Sequence, residues 1–78
     1  MAGKRVLSIE IGSKITRIVE VDYKVKNPKV YHTATVDTPE GVMEDGILNI
    51  TPEYVSILKK KIAQSGMKAK QVIFSEHT

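Results

Sequence analysis

The sequence predicts one small α/β domain: a mixed sheet built in the order β-β-β-α-β, with a single crossover helix. Three observations predict it. Three short runs rich in β-branched residues follow one another with only turn signals between them. One helix with a recognisable start and stop occupies residues 52–65. A last apolar run, 71–75, follows that helix. A strand–helix–strand crossover is expected to be right-handed and to lay this final strand parallel to the first.

Residues 6–11 form the first strand, with Leu7, Ile9 and Ile11 on one face and Val6, Ser8 and Glu10 on the other. Gly12-Ser13 makes a tight turn into the second strand, 15–22, because glycine accepts the positive φ that such turns require. Asn27-Pro28 turns the chain into the third strand, 30–38, which completes an antiparallel meander over 6–38. The connection 39–50 holds two turn clusters, Thr38-Pro39-Glu40-Gly41 and Glu44-Asp45-Gly46. Its short apolar patches, Val42-Met43 and Ile47-Leu48, tack it onto the domain. Thr51 is a good N-cap, Pro52 suits the first helical position, and Glu53 complements the helix dipole. Tyr54, Val55, Leu58 and Ile62 share one side of this helix, with Ile57 at its border, and Gly66 closes it.

A chain of 78 residues makes a single domain, 1–78, that buries only about 60% of its unfolded surface. Without cysteine it has neither disulfides nor thiolate metal sites. His32 and His77 lie too far apart in sequence to read as a ligand pair, so no metal site is expected. The net charge of +3 owes much to Lys59, Lys60, Lys61, Lys68 and Lys70, near the end of the helix, where cations favour the dipole. Three tyrosines and one phenylalanine are too few for a base-stacking platform, and nucleic acid is not an expected partner. No apolar run approaches the roughly 20 residues of a membrane span, and no signal-peptide core opens the chain. A cytoplasmic location without direct membrane insertion is expected.

Residues 9–14 carry the strongest chemical signal. Alone they read as a hairpin turn. The same geometry suits a phosphate, since a small turn lets backbone N–H groups approach an anion closely. The Glu10 carboxylate at the strand's end is placed to hold a metal-bound water. Other polar residues read as structural. Tyr31 and Tyr54 pack, and Ser8 and Ser75 have no activating neighbours in sequence. His32 shares a strand face with Val30, Ala34 and Val36 as a partly buried, hydrogen-bonded side chain. No catalytic residue is expected.

Glu10-Ile11-Gly12-Ser13 resembles the first phosphate loop of actin-like ATPases, which reads Asp-x-Gly-Ser/Thr and opens a hairpin in the same element order. The stretch from Pro39-Glu40-Gly41 to Asp45-Gly46-Ile47-Leu48 resembles the Pro-Glu-Gly…Asp-Gly-x-Ile connection of PilM-type proteins. In that family a helix and then Lys-x-Lys-x-Val-Ile follow, as Lys68 to Ile73 do here. The likeness runs from about residue 6 to 75. The chain thus resembles an amino-terminal fragment of a PilM-type type IV pilus assembly protein, of the actin-like ATPase superfamily and related to FtsA.

The resemblance implies part of a ribonuclease-H-like/actin-like ATPase domain. It places Gly12, Ser13 and Lys14 in the phosphate loop, with Glu10 in place of the family's aspartate. One extra methylene displaces that carboxylate by about 1 Å, a scale of error that costs catalysis about 10²-fold. The cofactors implied are ATP and magnesium for the full-length protein, with none expected on this fragment. Family members are several times longer, with the rest of the cleft beyond Thr78, so the chain by itself is not expected to be an ATPase. The partner implied is the cytoplasmic tail of a PilN-like membrane protein, which would hold the protein at the inner face of the membrane. A fragment of another actin-like enzyme, such as a sugar kinase or chaperone ATPase, is the competing reading; a free-standing binding domain is the third. With one helix for two sheet faces and an open edge at the last strand, self-association is also expected.

Overall fold

The computed structural model describes residues 5–22 and 26–76; His77 lies outside them. Four strands form one sheet: β1 (Arg5–Ile11), β2 (Ile15–Asp22), β3 (Lys29–Asp37) and β6 (Gln71–Glu76). A second, two-stranded sheet pairs β4 (Met43–Glu44) with β5 (Ile47–Leu48), and the helix α1 spans Pro52–Gln64. The main sheet runs β3-β2-β1-β6. β1 pairs antiparallel with β2, from Arg5↔Asp22 to Ile11↔Thr16, and parallel with β6, from Val6↔Gln71 to Ile11↔Glu76. The mixed sheet and single helix match the expected α/β class, and the main-sheet strands and α1 follow the expected order with ends within one residue; two further short strands stand between β3 and α1.

One face of the sheet is covered. The register sets Leu7 beside Glu20, Ile9 beside Ile18 and Ile11 beside Thr16. Tyr54 and Leu58 of α1 join Leu7, Ile9, Ile11 and Ile18 in a core that Val42 and Met67 complete. Each fully buried aliphatic side chain here contributes roughly 1.5–3 kcal/mol of transfer free energy. The opposite face carries Ile15, Arg17, Val19 and Val21, none of them in that core.

The caps of α1 follow from their residues. Thr51 accepts a hydrogen bond from the Tyr54 N–H at 3.1 Å, and Pro52 begins the helix. At the other end Gly66 takes φ +75, its N–H bonds the Ala63 carbonyl, and the Met67 N–H reaches back to the Ile62 carbonyl. That pair of bonds is a Schellman motif, and buried Met67 supplies the apolar contact that commonly accompanies it. At 13 residues, α1 is too short to cross a membrane; no helix among the described residues is long and apolar enough.

Three details depart from the sequence reading. The connection 39–50 contains the β4–β5 hairpin, closed by Asp45 (φ 53) and Gly46 (φ 76). Two central residues at positive φ make a type I′ turn, which Asp-Gly between apolar residues favours. Second, a bulge between Glu20 and Val21 skips Tyr31, so Val30 pairs with Val21 and leaves the face of His32, Ala34 and Val36. Val30 is accordingly exposed. Third, the glycines at positive φ are Gly41, Gly46 and Gly66; Gly12 is not one of them.

Candidate functional site

The β1–β2 turn sits where the two parallel strands end. Ile11 of β1 lies beside Glu76 of β6, so Gly12-Ser13-Lys14 begins at the carboxyl edge of both. In open α/β sheets, ligands gather at the carboxyl ends of parallel strands. A recess of about 300 Å³ opens here, lined by Glu10, Gly12, Ile15 and Arg17. Glu10 is half-buried on the face away from α1, with Arg17 as its cross-strand neighbour on β2 and Ser75 as its neighbour on β6. Ser13 and Lys14 are exposed at the tip.

The turn is anchored by its backbone. The Gly12 N–H donates to the Ile15 carbonyl at 3.0 Å, and the Thr38 N–H donates to the Lys14 carbonyl at 2.8 Å. With the Gly12 donor engaged in the turn, main-chain donation to an anion falls to Ser13 and Lys14. Gly12 lines the recess and does not take the left-handed conformation expected of it. Arg17 and Lys14 are basic and Glu10 is acidic, so both signs of charge stand at this end of the sheet. Among the described residues, no cluster of three or more His, Cys, Asp or Glu side chains is placed to hold a metal by itself.

A second polar cluster lies under the covered face. Glu20 is fully buried; one carboxylate oxygen meets His32 Nδ1 at 2.6 Å, and the other accepts the N–H groups of Lys68 (2.7 Å) and Ala69 (2.8 Å). Burial alone raises the Glu20 pKa, but the bonds from His32, Lys68 and Ala69 outweigh it and hold the carboxyl below its ordinary value. Glu20 therefore stitches the loop between α1 and β6 to the middle of the sheet. Nearby, Thr16 Oγ1 lies 2.7 Å from Thr38 Oγ1 and 2.6 Å from the Tyr54 hydroxyl, all three side chains buried. Burial pushes the Tyr54 phenol up, and its bond with Thr16 partly offsets this. Both clusters tie together parts of the chain distant in sequence.

The structure therefore brings Glu10 and Gly12 together at one recess and leaves Ser13 and Lys14 exposed on the turn, outside its lining. Arg17 was missed from the sequence; its odd parity on the second strand, opposite Glu10, was the available signal. Glu20 was missed too, although it shares the period-2 face of Thr16 and Ile18, where a carboxylate must find partners. No protein-family model matches the chain, and no curated protein matches it significantly.

Proposed function

We propose that this chain forms the phosphate-loop portion of an actin-like, PilM-type domain, which serves as a scaffold in type IV pilus or related secretion-system assembly. One observation carries the phosphate-loop reading: the Gly12-Ser13-Lys14 turn stands at the carboxyl ends of the sheet's parallel strand pair, beside Arg17 and Glu10. The PilM-type assignment rests on the sequence resemblance across residues 6–75.

In this reading Ser13 and Lys14 hold phosphate oxygens through backbone N–H groups and the Lys14 ammonium, and Arg17 adds charge from the neighbouring strand. Bound magnesium would neutralise phosphate charge, and Glu10 would hold a water of that ion. The longer Glu10 carboxylate makes binding and docking, more than hydrolysis, the service of this loop. A PilN-like membrane-protein tail is the proposed partner of the full-length protein.

The test is a titration of the ¹⁵N-labelled chain with magnesium-ATP and, separately, with pyrophosphate. Shifts concentrated at Glu10, Gly12, Ser13, Lys14 and Arg17 are expected, saturating in the range of about 1–10 mM. Replacing Gly12 with Val should weaken those shifts while leaving the far-UV spectrum intact. Shifts absent from this turn, or unchanged in Gly12→Val, overturn the phosphate-loop reading.

A further inference from the structure

We infer that Tyr54, Thr16 and Thr38 are positioning residues of the β1–β2 turn: the phenol on α1 sets, through two threonine hydroxyls, how the Lys14 end of the turn is held. Two backbone bonds fix that turn. One closes it on itself, from the Gly12 N–H to the Ile15 carbonyl at 3.0 Å. The other comes from outside it, from the N–H of Thr38, the residue after β3, to the Lys14 carbonyl at 2.8 Å. Thr38 therefore grips the turn with its backbone while its side chain is gripped from below. Its Oγ1 lies 2.7 Å from Thr16 Oγ1, which lies 2.6 Å from the Tyr54 hydroxyl. Thr16 also follows Ile15 directly, so both anchors of the turn adjoin this chain of hydroxyls.

Stability alone does not call for hydroxyls at these three positions. Valine has nearly the shape of threonine and phenylalanine that of tyrosine, and a buried site made wholly apolar can be as stable as a hydrogen-bonded one. What the hydroxyls add is direction. All three side chains are buried, and Thr16 Oγ1 stands in both contacts. That oxygen has one proton and two lone pairs, so removing the phenol changes what it offers Thr38. The route from α1 to the turn thus passes through one atom. Tyr54 belongs to the first turn of α1, where its own N–H bonds the Thr51 cap, and stands 38 residues from Thr16 in sequence. A shift of this end of α1 is felt at Lys14, and a load on the turn is felt at Tyr54. Where a bound anion is concerned, the inference rests on the phosphate-loop reading; where the turn's own geometry is concerned, it does not.

The turn is read first without ligand, in ¹H–¹⁵N spectra of the 78-residue chain. Tyr54→Phe and Thr38→Val should each shift the Ser13, Lys14 and Ile15 amides, whereas Thr38→Ser, which keeps the hydroxyl, should leave them near wild type. In Tyr54→Phe and Thr38→Val, exchange of the Thr38 amide should rise about 5-fold more than that of the β1 amides, the effect of one lost hydrogen bond. Ile62→Val, a core change farther along α1, should leave the turn in place. Wild type needs no substitution: its Tyr54 hydroxyl proton should exchange slowly enough to be seen, with cross-peaks to Thr16. Pyrophosphate then separates the two readings. Where the turn binds it, Tyr54→Phe should weaken binding about 5-fold. No response to pyrophosphate, with Tyr54→Phe still moving Ser13 and Lys14, overturns the phosphate-loop reading and supports the positioning role. Turn amides unmoved by Tyr54→Phe and Thr38→Val, Thr38→Ser as disruptive as Thr38→Val, or an equal response to Ile62→Val each overturns the proposal. So does a Tyr54 hydroxyl proton in fast exchange with solvent, or a pyrophosphate affinity equal in wild type and Tyr54→Phe.

Discussion

Glu20 gathers polar bonds from two distant parts of the chain. It is fully buried and accepts from one side chain and two backbone N–H groups, the latter 48 and 49 residues away in sequence. Removing it leaves those donors without their acceptor. Glu20→Ala should therefore cost about 3 kcal/mol in urea unfolding, and Glu20→Gln, which keeps an acceptor, about 1–2 kcal/mol. The pH dependence follows from the lowered pKa. A carboxyl that is easier to ionise when folded stabilises the fold above its ordinary value of 4.5, and that contribution disappears as pH falls through the folded value. The stability gap between wild type and Glu20→Gln should accordingly hold near neutrality and shrink below about pH 4.5. A gap unchanged down to about pH 3 would mean that the ionised carboxylate is not what holds the loop.

At the scale of elements, the β4–β5 hairpin shows how little sequence suffices when turn chemistry is right. Two residues a side are paired, Met43↔Leu48 and Glu44↔Ile47, around Asp45-Gly46. Val42 just before it is 2% exposed, and Met43 and Leu48 pack against the core, so the hairpin clamps the connection over the sheet. Gly46 has open space where a Cβ would stand, but its φ of +76 strains any other residue. Gly46→Val should cost about 1–2 kcal/mol. In ¹H–¹⁵N spectra the shifts of residues 42–49 should change while those of β1 and β2 stay put. Equal change across the main sheet would mean that the hairpin is integral to the core, not a clamp on it. The Asp-Gly signal was present in the sequence. Read as a turn alone, it hid two strands too short to show any period.

The two faces of the main sheet differ: α1 packs on one of them and not on the other. The helix face has the Thr16–Thr38–Tyr54 hydroxyl chain and the Glu20 latch; the other presents the Glu10–Arg17 recess and a buried Val6. Four residues line that recess, whereas nucleotide-sized ligands are usually held in pockets that bury about 70–90% of their surface. The chain by itself should therefore release no phosphate from ATP above background. Calorimetry should find no nucleotide affinity tighter than about 1 mM. A magnesium-dependent micromolar site in the 78-residue chain would overturn this. Such a result would show that these residues enclose the ligand unaided.

The amino-acid sequence by itself determined the order of the helix and the four longer strands, the caps of α1 and the alternation along β1 and β2. Those are local: Thr51, Pro52 and Gly66 act within one turn of the helix, and alternation needs only neighbours. It also located the β1–β2 turn that carries Glu10, Gly12, Ser13 and Lys14. Only the tertiary structure decided which face of the sheet α1 covers, since Leu7, Ile9 and Ile11 and their opposite neighbours are both tenable faces in a strand taken alone. The bulge at Tyr31 was equally hidden, because it belongs to the pairing of β2 with β3 and reverses the face of Val30. So was Glu20, whose burial is tolerable only because the loop after α1 delivers two N–H groups to it. A buried charge is costly or stabilising according to partners that the chain brings from far away, and long-range register is what folding adds to local pattern.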